Sequence, residues 1–263
     1  MTDLIAPVAT LNDAGLTFGD RTLWDHLDLT VMPGEFVAVL GPNGTGKTAL
    51  LKTLLGGVPL SSGRATVCGT PAGSGNPRVG YVPQHHPIDR DVVLRGRDLV
   101  TLGFDGNRWG LAPRSAAARS RRRAAVAQAL RDVNGEALAD VAVGRMSGGE
   151  LQRVRIAQAL AGDPALLLCD EPLLTLDPAN TALVAALIDR RRREAETAVI
   201  LVTHEINPVL PYVDRVLYLA DGRFRIGTVE EVMTTETLSE LYRADIRVLR
   251  IDDHYVVMDG TTL

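Results

Sequence analysis

Cysteine is nearly absent: the 263 residues contain two, Cys68 and Cys169. Two thiols cannot build a disulfide framework, and neither has partners at metal-ligand spacing, so the chain is expected in a reducing compartment. Long apolar runs are missing too. Runs such as Ala198 to Val202 last five residues and none exceeds seven, against the roughly 20 that span a bilayer. Basic residues are not in excess, since 28 Lys and Arg against 32 Asp and Glu give a formal charge of −4. That balance argues against nucleic acid as a main partner, which usually leaves a basic footprint. The first ten residues contain Asp3 and no basic run, so no secretory leader is expected. Nor is there an internal repeat, or low complexity beyond short arginine runs.

What is present is a core. The 46% apolar content excludes global disorder, and at about 100–200 residues per domain the length allows one or two domains. Apolar runs suited to buried strands alternate with helical spacings, the mark of an α/β protein with a largely parallel sheet. Phe36–Leu40 reads as a strand ending on Gly41, and Thr48–Leu55 as a helix with Leu at 50, 51, 54 and 55. Val79–Val82, Leu166–Cys169 and Val199–Val202 are further strands. Before Gly34 the segments Val8–Phe18 and Leu23–Met32 partly alternate, as half-exposed antiparallel strands do. Residues 90–160 break the strand–helix rhythm: Val92–Leu102 reads as helix, Gly103–Pro113 as loop, Ala116–Val133 as helix. This stretch is a helical insertion. After Gly227 a small appendage is expected, a helix at Glu236–Tyr242 and strands Ile246–Ile251 and His254–Val257.

Three motifs carry chemistry. Gly41-Pro42-Asn43-Gly44-Thr45-Gly46-Lys47-Thr48 fits G-x-x-x-x-G-K-[ST] between a strand and a helix, the context that pattern requires. Glycines let backbone N–H groups approach phosphate oxygens, and the helix start at Thr48 and Ala49 adds positive dipole. Lys47 supplies charge to the β- and γ-phosphates, and Thr48 a hydroxyl to Mg²⁺. Leu166–Cys169 then ends in Asp170 and Glu171, at the strand edge where ligands sit in open α/β sheets. Asp170 suits Mg²⁺, and Glu171 suits an attacking water. Third, Ser147-Gly148-Gly149-Glu150 opens a helix, Leu151–Ala161, and offers another phosphate-binding terminus.

With these motifs the chain resembles the ATP-binding subunits of ATP-binding-cassette (ABC) transporters. Met146-Ser147-Gly148-Gly149-Glu150 corresponds to the family signature Leu-Ser-Gly-Gly-Gln, departing at Met146 and at Glu150, where the amide donor is lost. Gln84 after Tyr81-Val82-Pro83 resembles the Q-loop glutamine, implied to contact Mg²⁺ or water. Leu176-Asp177 resembles the D-loop, and His204 the switch histidine of the γ-phosphate. Phe18 lies where the family places an aromatic on adenine. The resemblance covers residues 8 to 227. It implies an α/β P-loop NTPase core with an N-terminal antiparallel β subdomain (1–89 and 161–227), a helical signature subdomain (90–160) and an appendage (228–263).

The resemblance further implies ATP and Mg²⁺ as cofactors, and catalytic roles for Glu171, His204, Gln84 and Lys47. It implies a homodimer, or paired cassettes, sandwiching two ATP, with Ser147 and the Gly149 N–H acting in trans. Integral-membrane permease subunits, an extracytoplasmic substrate-binding protein reached indirectly, and a place on the cytoplasmic face of the membrane follow, with no nucleic acid. Val82–Asp91 and Val100–Gly103, His204–Leu210 and Glu236–Tyr242 resemble zinc, manganese and iron importer ATPases. Siderophore or cobalamin importers and soluble iron–sulfur-assembly ATPases are the alternatives. The permease is expected to dock at Pro87–Leu102. Set aside are His85-His86 as a metal site, the runs Arg119–Arg123 and Arg190–Arg193 as anything beyond solvated faces, and Cys169 as a reactive thiol.

Overall fold

The computed structural model describes residues 5–73, 75–84, 92–106 and 115–259. The chain divides into two compact units, 1–74 with 198–263, and 75–197. It begins in the first unit with β1 (Ala9–Phe18), β2 (Arg21–Val31), β3 (Phe36–Leu40), α1 (Lys47–Leu54), β4 (Ser62–Val67) and β5 (Thr70–Pro71). The second unit holds β6 (Val79–Val82), α2 (Gly96–Asp105), α3 (Ala116–Asp132), α4 (Gly148–Leu160), β7 (Leu166–Asp170) and α5 (Pro178–Ala195). The chain then returns to the first unit as β8 (Ala198–Val202), β9 (Arg215–Ala220), β10 (Arg223–Gly227), α6 (Val229–Val232), α7 (Thr235–Tyr242), β11 (Ile246–Ile251) and β12 (His254–Asp259).

In the first unit β2, β1, β4 and β5 form an antiparallel sheet in that order. Leu11, Leu16, Trp24, Leu27, Leu29 and Val31 are buried on β1 and β2 while Asn12, Thr17, Asp25, His26, Asp28 and Thr30 are exposed, the partial alternation of a sheet wet on one side. A second sheet runs β10, β9, β3, β8. Its β3 lies parallel to both β8 and β9, and β10 closes antiparallel on β9. Every residue of β3 and β8 is buried, as strands covered on both faces require. Helix α1 follows β3 and buries Leu50, Leu51 and Leu54.

In the second unit β6 lies parallel to β7, and α2, α3 and α4 pack on one another. The expected helix from Val92 starts later, at Gly96. The Leu94 carbonyl accepts from Val143 N–H at 2.8 Å and the Gly96 N–H donates to Val141 at 3.0 Å, so this backbone is taken up by a neighbouring segment. Gly103 belongs to α2 rather than to a loop. A Cβ there would lie 1.8 Å from the Gln158 carbonyl oxygen of α4, so the glycine permits a close helix approach. The rest of the expected loop, 107–113, and His85-His86 with Pro87–Asp91 lie outside the described residues.

Arg119, Arg121, Arg123 and Arg193 are exposed as expected, while Arg122 and Arg190–Arg192 are half-buried. Arg122 pairs with Asp105 at 3.3 Å, Arg191 pairs with Asp163, and Arg192 and Arg193 each reach Asp189 at 2.9 Å. Arg190 donates to the Asp132 carbonyl. Arg122 and Arg190 thus join α3 to α2 and to α5, whereas Arg192 and Arg193 close on an aspartate of their own helix. No helix among the described residues is long and apolar enough to cross a membrane.

Overpacking a helix contact typically costs about 1–3 kcal/mol. Gly103→Ala is therefore expected to lower the melting temperature by several degrees, as read by circular dichroism. An unchanged melting temperature would refute the close approach of α2 and α4.

Candidate nucleotide site

The P-loop follows directly from β3. Gly41, Gly44 and Gly46 take φ values of 137°, 79° and 97°, a region that L side chains rarely adopt. At Gly41 a Cβ would also sit 2.0 Å from the Leu219 carbonyl oxygen of β9, so the loop lies hard against the sheet. Thr45 Oγ1 donates to the Pro42 carbonyl at 3.0 Å and closes the turn. Helix α1 begins at Lys47 after Gly46, which offers no side-chain cap, and the dipole at this end favours an anion. Lys47 is buried to 5% exposure. Its ammonium donates to the carbonyls of Gly41 at 2.7 Å and Pro42 at 2.8 Å, inside the loop's own curve. Thr48 and Ala49 occupy the first turn of α1.

His204 and Phe18 join the P-loop in this unit. β8 runs parallel beside β3, with Val202 opposite Val39, so the segment carrying His204 leaves the same strand edge as the P-loop. His204, Gly41 and Pro42 line one cavity of about 500 Å³. Phe18 ends β1 and is 53% exposed; it is not a core residue. Its partner across the hairpin, Arg21, donates from its guanidinium to the Gly44 carbonyl at 3.0 Å. This bond ties the strand end that carries Phe18 to the P-loop. Nothing in the sequence pattern singled out Arg21.

The second unit holds the carboxylates. β6 and β7 run parallel, with Val82 opposite Cys169, so Gln84 and the pair Asp170-Glu171 leave one edge together. Gln84 Nε2 donates to Glu171 Oε2 at 2.8 Å. Glu171 is buried and holds φ 50°, a left-handed conformation that costs a residue with a Cβ about 1–3 kcal/mol and clusters at functional sites. Asp170 is buried, and the Tyr81 hydroxyl points to it at 3.4 Å. Burial, followed by the Asp170 charge, pushes the Tyr81 phenol up to about 12, so Tyr81 stays protonated and able to donate. Tyr81 is a further residue the sequence did not mark. Cys169 is fully buried and its thiol is pushed up by burial, as fits an inert small hydrophobe.

At the start of α4 Ser147 is the N-cap. Its Oγ accepts from Glu150 N–H at 3.3 Å, while the Glu150 carboxylate accepts from Ser147 N–H at 2.8 Å and Oγ–H at 2.9 Å. This is a capping box, which the Gln of the family signature would close equally well. The backbone hydrogen bond from Ser147, then its hydroxyl, holds the Glu150 carboxyl below its ordinary range. Ser147 and Gly148 are exposed, and a Cβ on Gly149 would meet the Asn180 side chain at 2.6 Å. Asn180 in turn donates to Asp177 from its backbone at 3.0 Å and its amide at 2.5 Å. These bonds, the backbone one first, hold the Asp177 carboxyl below its ordinary range. Asn180, also unmarked by the sequence, therefore links the glycine turn to the D-loop aspartate. Among the described residues no group of three His, Cys, Asp or Glu could hold a metal ion.

Residues 24–174 match the ABC transporter family. The chain belongs to that family. Its fold is the ABC ATPase fold, with an antiparallel β subdomain and helices on a mixed α/β core. It is 34% identical over 234 residues to the zinc transport system ATP-binding protein TroB of Treponema pallidum, covering 88% of this chain and 85% of that one. It is 37% identical over 249 residues to the phosphonates import ATP-binding protein PhnC of Anaeromyxobacter dehalogenans; there it spans 90% of itself but 49% of the relative. ATP-binding proteins named for zinc and manganese import recur among the matches. A solved inward-facing ABC transporter, described as of metal-chelate type, superposes with a TM-score of 0.81 and 26% identity, over 98% of this chain and 100% of the other. As an ABC cassette the chain binds ATP and is an ATPase.

Removing an exposed hydrogen bond to a charged group costs on the order of 1 kcal/mol. Arg21→Ala is expected to weaken ATP binding roughly 3–10-fold, as read by titration with a fluorescent ATP analogue. Unchanged affinity would mean that the tie to Gly44 has no bearing on the loop.

Proposed function

We propose that this chain is the ATP-hydrolysing subunit of an ABC importer that carries a divalent metal ion through a separate permease. The observation that carries the catalytic part is the Gln84–Glu171 hydrogen bond beside Asp170. That bond orients the Glu171 carboxylate at the end of its strand, as suits a group that positions and deprotonates water. Lys47 and the P-loop, Gly41 to Ala49, hold the triphosphate through the ammonium and the backbone N–H groups other than that of Pro42, and Phe18 stacks on adenine. His204 contacts the γ-phosphate as charge develops there.

Thr48, Gln84 and Asp170 offer hydroxyl, amide and carboxylate oxygens, the hard donors that Mg²⁺ prefers. When bound, Mg²⁺ neutralises charge on the β- and γ-phosphate oxygens. Tyr81 steadies the Asp170 carboxylate for that task.

The exposed start of α4 supports a role in trans. Ser147 and the Gly149 N–H close on the nucleotide of a second cassette, with Asp177 at the same interface, and two ATP are sandwiched in a dimer. ATP joins the halves; hydrolysis lets them part. The protein then sits at the cytoplasmic face of the membrane through its permease, with an extracytoplasmic binding protein delivering cargo. Val93 is 83% exposed in the segment expected to dock the permease, an apolar surface that a partner helix would cover. The metal reading draws on TroB, which this chain matches over most of both lengths, whereas the phosphonate relative is about twice as long as the matched part.

Glu171→Gln should retain ATP binding and accumulate an ATP-bound dimer in light scattering with Mg²⁺ present. A variant that stays monomeric at saturating ATP would overturn the cycle. Capture of this variant from detergent-solubilised native cells should bring a multi-spanning membrane protein, and cells lacking the chain should show lowered zinc, manganese or iron by elemental analysis. Unchanged metal content with a membrane partner present would keep the importer and reject the metal.

A further inference from the structure

The C-terminal appendage meets the segment that carries His204. Asn207, three residues beyond that histidine, makes a reciprocal pair with the backbone of β12: its Nδ2 donates to the Tyr255 carbonyl at 2.9 Å, and its Oδ1 accepts from Tyr255 N–H at 2.8 Å. A carboxamide is the side chain that imitates a peptide group in this way, donating and accepting together. The other end of the segment is fixed to the sheet. Thr203 N–H donates to the Val39 carbonyl at 3.1 Å, and Thr203 Oγ1 bonds the Glu205 carbonyl at 2.9 Å and N–H at 3.2 Å. His204 thus hangs between an anchor on β3 and an anchor on the terminal hairpin.

The hairpin is itself held. Ser239 of α7 bonds both backbone groups of Ile246, at 3.0 and 3.1 Å. Thr235 accepts from Val248 N–H at 2.9 Å, and the Tyr242 hydroxyl meets that of Tyr218 on β9 at 2.8 Å. A firm path therefore runs from β9 through α7 and the hairpin to Asn207. The hairpin also forms one wall, at Tyr255 and Val257, of the cavity of about 500 Å³ that Gly41, Pro42 and His204 border.

We propose that Asn207 is a positioning residue that couples the C-terminal hairpin to His204, so that the hairpin sets the rate of ATP hydrolysis without setting ATP affinity. This rests on the reading of His204 as the γ-phosphate contact. Displacing a reacting group by about 1 Å can cost up to 100-fold in rate, whereas the P-loop contacts that hold ATP do not pass through Asn207.

The test compares steady-state ATP hydrolysis by the full chain with Mg²⁺ and by Asn207→Ala, His204→Ala and the double variant. The near-isosteric Asn207→Asp, which keeps the acceptor and loses the donor, serves if the alanine variant does not fold. Asn207→Ala is expected to lower kcat roughly tenfold and leave KM for ATP within about twofold. In the His204→Ala background it should add little, because the two act as a unit. An unchanged kcat, a KM that rises in step, or an equal further loss in that background overturns the coupling and leaves the His204 reading standing. Wild-type kcat in His204→Ala alone overturns that reading, and the coupling with it.

Discussion

A strand buried on both faces can place a polar side chain only where it ends. β3, β7 and β8 are buried along their whole lengths, and the alternative, an unpaired polar group inside, would cost several kcal/mol. The candidate site residues accordingly lie at strand ends: the P-loop after β3, Asp170 closing β7 with Glu171 next, His204 after β8, and Gln84 after β6. Parallel pairing then aligns these ends, β3 with β8 in one unit and β6 with β7 in the other. The sites follow from the requirement to keep the cores apolar.

Within that frame, backbone conformation does much of the work that side chains are usually credited with. Three positive-φ glycines turn the P-loop inward, and the Leu219 carbonyl leaves no space for a side chain at Gly41. Glu171 adopts a similar φ without being glycine, and the bond from Gln84 helps to hold it there. Neutral amides recur in these supporting places. Gln84 holds Glu171, Asn180 holds Asp177, and Asn207 holds Tyr255. An amide adds no charge, so it can fix a neighbouring group without changing the local charge.

The buried strands and the motifs were legible because continuous apolar runs ending in Gly or Asp have few other readings. Phe36–Leu40 and Val79–Val82 emerge with the bounds expected, and Leu166–Cys169 extends by one residue. Ser62–Val67 was not visible: its sequence is mostly small or polar, and it becomes a strand through backbone pairing with β1. Arg223–Gly227 escaped notice for the same reason, pairing with β9. The start of α2 was misplaced because Val92–Leu94 have apolar side chains while backbone bonds from a remote segment decide their conformation. Arg21, Tyr81, Asn180 and Asn207 act across the fold on partners at no characteristic spacing, so pattern alone could not mark them.

Lys47 has a consequence for the loop that carries it. Its ammonium donates to the carbonyls of Gly41 and Pro42, so one buried charge clasps the end of the loop to its beginning. A neutral side chain at this position would cost the loop that clasp as well as its cation.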